Sequence, residues 1–280
     1  MSASTSTTTS VPSPTLRPSE TDHLGVTQRR VVKAEWIKLR SVRSTVIGLI
    51  AAVAVAVGLG LLFSSFAGSG QGGRPERASI DPLSLSLAGF NLSQLIIGVL
   101  GVSLVAGEYS TGLMRTTFSA VAGRLPVLWA KSIVFGGATL VVMLAAAFAA
   151  FFGGQALYGG AEPTVALSDP GVLRAVVGAA AYASGVGLLG VAIGFLLRTT
   201  AAGIGVLFAM LLLVPGLTGL LPDSIADPLT KVLPPNAGQA FMSVADNANL
   251  LSPTAGFLVF LLWVVGLLVA AGVAVKKRDA

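Results

Sequence analysis

The sequence predicts an all-α integral membrane protein with six transmembrane helices, and three observations carry that prediction. Apolar residues make up 54% of the 280-residue chain and charged residues only 11%, whereas about a quarter of a soluble domain is charged. Six apolar stretches have the roughly 20 residues that a helix needs, at 1.5 Å rise each, to cross a hydrocarbon core of about 30 Å. None of them alternates with period two. Because a bilayer offers backbone groups no hydrogen-bond partner, each crossing has to be a helix and not a barrel strand.

In chain order, residues 1–27 open with "MSASTSTTTSVPSPTLRPSE", a Ser/Thr/Pro-rich stretch without the apolar core of a signal peptide, and read as a disordered cytoplasmic tail. Residues 28–280 hold the six-helix transmembrane domain. Its apolar runs are Thr45 to Phe66, Leu87 to Gly107, Ser132 to Gly153, Ala175 to Leu197, Thr200 to Leu221 and Ala255 to Val275. Ahead of the first run, "QRRVVKAEWIKLRSVR" places Val31, Val32, Trp36, Leu39 and Val42 on one arc of roughly 140° when wound as a helix. Arg29, Arg30, Lys33 and Arg40 fall mostly opposite, Glu35 intrudes on the apolar arc, and Ile37 strays from it. This pattern predicts an amphipathic elbow helix on the inner leaflet, with Arg30, Lys33, Trp36, Lys38 and Arg40 as its membrane contacts.

Charge sets the expected orientation, since loops rich in Lys and Arg stay cytoplasmic. With both termini inside, N-in and C-in, all of the 18 Lys and Arg residues except Arg74, Arg77, Arg174 and Lys231 fall on the cytoplasmic side. The net charge of +6 and pI near 10.1 therefore flank membrane spans, which fits anionic lipid heads and not nucleic acid. Cysteine is absent and the single histidine, His23, has no partner at ligand spacing, so no metal site or cofactor is expected.

The spans themselves hold essentially no ionisable residue; their polar candidates are Asn91, Gln94, Tyr182 and Ser184. An ion-coupled transporter normally keeps a titratable group at mid-membrane, so that class is disfavoured. Glycines punctuate the fourth span, and Gly190 with Gly194 forms a G-x-x-x-G that lets helices approach closely. No phosphate-cradling G-x-x-x-x-G-K-[ST] loop occurs, so any ATP would be hydrolysed by another polypeptide, and this chain is not expected to be an enzyme. Between the second and third spans lies "GEYSTGLMRTTFSAVAGR", Gly107 to Arg124. Its hydroxyls, its charges and an expected exposed pair, Met114 and Phe118, suit a segment that docks on a soluble partner.

Taken in order, "EWIKLRSVRST" before the first span, "GEYSTGLMRTTFSAVAGRLPVLWAKS" after the second and "LPPNAGQAF", Leu233 to Phe241, in the last outer loop resemble the ABC-2 family of permeases from about Gln28 onward. The resemblance implies a plasma-membrane permease subunit of an ATP-driven ABC exporter. It would pair with a separate ATPase subunit and form a homodimer or heterodimer of permeases. It also implies that Glu108 to Thr117 is a coupling helix, with Glu108, Thr111, Gly112, Met114, Arg115 and Phe118 as candidate coupling residues, and that Asp227 to Leu251 is a partly re-entrant outer cap. Leu113 stands where many relatives have threonine. A different class stays open, a non-transporting membrane anchor or regulator that recruits a cytoplasmic partner.

Overall fold

The structure, a computed structural model, describes residues 27–68, 81–121, 123–158, 165–244 and 249–277. Almost all of the expected N-terminal tail lies outside them. Every regular element among the described residues is helical: α1 (Gln28–Ser41), α2 (Arg43–Gly68), α3 (Pro82–Ser86), α4 (Phe90–Ser110), α5 (Leu113–Ala120), α6 (Arg124–Tyr158), α7 (Val172–Leu197), α8 (Thr200–Phe208), a π-turn (Ala209–Leu213), α9 (Val214–Thr218), α10 (Asp223–Val232), α11 (Pro234–Met242) and α12 (Pro253–Lys277). Six segments are long and apolar enough to cross a membrane: Arg43–Ala67, Pro82–Ser110, Arg124–Leu157, Val172–Leu197, Thr200–Thr218 and Pro253–Lys277. The chain is a multi-pass membrane protein.

Helix α7 is the axle of the bundle. In its most apolar stretch 78% of the residues are buried, against 17% for α2 and for the α8–α9 span, and it packs on α4, α6, α8, α11 and α12. Glycine makes its closest seam possible. A Cβ on Gly190 would stand 2.2 Å from the Gly98 carbonyl oxygen of α4, and one on Gly101 would stand 2.2 Å from that of Gly187. With no hydrophobic force between helices in lipid, such backbone approach is a main source of association. The G-x-x-x-G read from the sequence is thus an internal seam between α7 and α4.

Two spans depart from the apolar runs. Helix α6 begins at Arg124, well before Ser132, because Pro126 sits in its first turn, where a missing N–H costs nothing, and Val127, Leu128 and Ala130 are already buried. The fifth span is interrupted by the π-turn two residues before Pro215. Proline cannot donate to the carbonyl four residues back, and a widened turn absorbs that break. Beyond it, α10 and α11 form a bent pair broken at Leu233, ahead of Pro234, while Pro228 lies within α10. Trp263, in the first half of α12, donates to the Val232 carbonyl, and a Cβ on Gly238 would overlap the Tyr182 ring. The bend therefore enters the bundle. Arg174 closes its far end, donating to the carbonyls of Phe241 and Ser243.

Candidate functional site

Opposite that bent pair, one end of the bundle gathers α1, the end of α4, α5, the start of α6 and the end of α7. The elements meet at four charges. Lys131, with a fully buried side chain, sends its ammonium to Glu35 Oε2 at 2.8 Å and to Glu108 Oε1 at 2.7 Å. Lys38 reaches Glu35 Oε1 at 3.1 Å and Glu108 Oε1 at 3.3 Å. Two carboxylates and two ammonium groups make the cluster electrically balanced, and that balance is what lets a lysine enter a dry interior. Burial alone would lower the pKa of Lys38, but the Glu35 and Glu108 carboxylates outweigh it and hold it above the ordinary lysine value.

Helical spacing explains how α1 supplies its half. Val31, Glu35 and Leu39, one turn apart, form its buried face, while Lys38 lies one turn from Glu35 on the same side. Gln28 Nε2 donates to the Pro126 carbonyl at 3.1 Å and fixes the start of α1 on α6. Glu108 comes from the last turn of α4, and its Oε2 is buried without a hydrogen-bond partner among the described residues. The neighbouring Tyr109 packs edge-on against Phe195 at 6.4 Å, with the Arg198 guanidinium 5.1 Å above its ring. The end of α7 thereby joins the same assembly.

From this base α5 projects. Gly112 turns the chain with φ of 74°, a left-handed conformation that favours glycine. Met114 is completely buried, so it anchors the short helix and does not offer the exposed apolar contact expected of it; Phe118 is half-buried, with the Arg124 guanidinium 5.7 Å from its ring. The outward side carries Thr111, Leu113, Arg115, Thr116 and Ser119. Thr116 and Ser119 donate to carbonyls one turn back, which steadies this isolated two-turn helix without using its outer face.

No protein-family model and no curated protein matches this chain.

Of the elbow residues expected from the sequence, Arg30, Lys33, Trp36 and Arg40 are exposed on α1, whereas Lys38 points into the charge cluster. Glu108 is the one residue shared by the expected coupling segment and the cluster. Glu35 and Lys131 were not among the candidates. Glu35 had a readable signal, a carboxylate on the apolar arc of α1 that needs a buried cation. Lys131 had a fainter one, a lysine inside "PVLWAKSIV", indistinguishable from a topology-setting flank until α6 is seen to start at Arg124.

Four neutral polar side chains of the spans make contacts between helices. Tyr182 donates its hydroxyl to Gln94 Oε1, Ser184 donates to the Gly136 carbonyl at 2.8 Å, and Thr139 lies 3.2 Å from Ser184. These contacts join α7 to α4 and α6 within the packed interior.

Proposed function

We propose that this chain is the membrane-spanning permease subunit of an ATP-driven ABC exporter and that a separate ATPase subunit docks on α5. The observation that carries the reading is the mounting of α5. A short helix whose outer face is polar apart from Leu113 stands on two spans, and one buried charge cluster joins those spans to each other and to α1. A push on α5 is therefore delivered to α4, α6 and α1 together and not lost in a loose loop. Coupling further requires the partner to bind one arrangement of these helices better than another.

The buried α7 leaves no room for a conduit through the centre of one copy. The pathway accordingly forms between two permeases, on the sparsely covered faces of α2 and of α8–α9. The same closed centre favours a second reading, a membrane anchor that recruits a cytoplasmic partner through α1 and α5 and moves no solute.

The chain's lack of cysteine makes the test clean. Arg115→Cys in native membranes, treated with a thiol-to-amine cross-linker, is expected to capture a P-loop ATPase identifiable by mass spectrometry, in an ATP-dependent yield. Capture of a protein without a nucleotide site would favour the anchor. Uphill solute flux by the purified chain alone, under an ion gradient, would refute both.

A further inference from the structure

Beside the charge cluster, a wedge of ≈ 700 Å³ opens between α1 and α6. Its α1 wall carries Arg29, Lys33 and Trp36, spaced to share one helix face, and its α6 wall carries Ile133, Gly137 and Val141. Arg29 and Lys33 are exposed and have no ion pair or hydrogen bond among the described residues. Ile133 and Val141 are 58% and 69% exposed, and a Cβ on Gly137 would meet nothing within 4 Å. The single acid of α1, Glu35, does not line the wedge and is neutralised by Lys38 and Lys131.

We propose that this wedge is a binding site for one anionic phospholipid, with its phosphate held between Arg29 and Lys33 and one acyl chain lying along Ile133, Gly137 and Val141. The proposal needs only that the six spans lie in a bilayer and is independent of the transporter reading. The two walls match the two halves of such a molecule. A guanidinium and an ammonium one turn apart suit a phosphodiester, the indole of Trp36 belongs at headgroup level, and the volume falls within the range of small-molecule pockets. Any phospholipid supplies the acyl chain, so selection rests on the headgroup. With about 1 kcal/mol for each basic residue near an anionic surface, two cations give on the order of a 10- to 30-fold preference over a zwitterionic lipid. An occupied wedge also props α1 against α6, next to the charge cluster.

The full chain would be reconstituted in nanodiscs of mixed phosphatidylglycerol and phosphatidylcholine, and the lipid retained after mild delipidation counted by native mass spectrometry. One phosphatidylglycerol per chain is expected, at least tenfold preferred. The double variant Arg29→Gln/Lys33→Gln should lose that preference. Gly137→Trp, which fills the wedge while leaving both cations, should lose the lipid itself. Arg40→Gln/Arg43→Gln, which removes exposed cations outside the wedge, should retain it. Equal retention of both lipids, unchanged retention in the Arg29/Lys33 variant, or equal loss in the Arg40/Arg43 control would overturn the site. So would a lipid-free dimer that Gly137→Trp converts to monomer, because a second copy would then occupy the wedge. Should Gly137→Trp fail to fold, the two charge variants decide.

Discussion

At the scale of single residues, the energetics concentrate in Lys131. Its ammonium is fully buried between two carboxylates, so Lys131→Met leaves Glu35 and Glu108 facing each other with only Lys38 to compensate. Removing one member of a buried ion group costs about 3–5 kcal/mol, because the remaining charge is stranded. The expected outcome is a large drop in thermal midpoint in detergent, measured by fluorescence-detected size exclusion. Adding Glu35→Gln to that variant should recover much of the loss, since Glu108 and Lys38 then remain as a balanced pair. If the double variant is as unstable as the two losses summed, the cluster is not a coupled unit. Lys38 gives the pH dependence. Its raised pKa means that its stabilisation is complete below the ordinary lysine range and is lost as pH rises through the folded value. The attachment of α1 should therefore be insensitive to pH between about 6 and 9 and weaken only in stronger alkali, as read by proteolysis of α1 in micelles.

At the scale of elements, close backbone contact between α4 and α7 decides how the bundle closes. Gly190→Ala places a methyl group against the Gly98 carbonyl, a rigid backbone neighbour, and overpacking of this kind typically costs about 1–3 kcal/mol. Gly205→Ala on α8 meets nothing within 4 Å and should be neutral or slightly stabilising, since alanine is the better helix former. Thermal unfolding of the pair separates a packing role from a general effect of glycine content. Glycine spacing announced that some close seam would form, but not between which helices, because 34 glycines in the chain offer many compatible pairings. The spans themselves were legible, since hydropathy over a bilayer-length window is a strong local signal. The break in the segment after the fifth span was legible too, because prolines are. The π-turn was not, as how a helix absorbs Pro215 depends on what packs around it. The charge cluster was half legible: Glu35 announced a mismatch with Lys38 one turn away on the same helix, while Glu108 and Lys131 arrive from α4 and α6, and only the three-dimensional fold brings them together.

At the scale of the whole molecule, the two ends of the bundle differ in charge, and that difference fixes an expected orientation. The end that holds α1 and α5 carries Arg29, Arg30, Lys33, Lys38, Arg40, Arg43, Arg115, Arg124, Lys131, Arg198, Lys276 and Lys277, while among the described residues the other end keeps Arg174 and Lys231. Basic residues close to span ends resist translocation, so the α1/α5 end should be cytoplasmic. Lys131 and Lys38 weaken that inference slightly, because their charges are balanced by Glu35 and Glu108 once folded, but the exposed cations alone preserve the bias. The natural absence of cysteine allows one reporter at each end. Ser119→Cys, exposed on α5, should react with a membrane-impermeant maleimide only after permeabilisation. Ser224→Cys, exposed at the start of α10, should react in intact cells. The reverse pattern would place α5 outside, beyond the reach of any cytoplasmic ATPase, and would refute the proposed coupling along with the orientation. Labelling of both sites only after permeabilisation would leave α5 inside and mean that one of the three spans between them does not cross, and a non-crossing fifth span would confine its π-turn and Pro215 to a re-entrant hairpin.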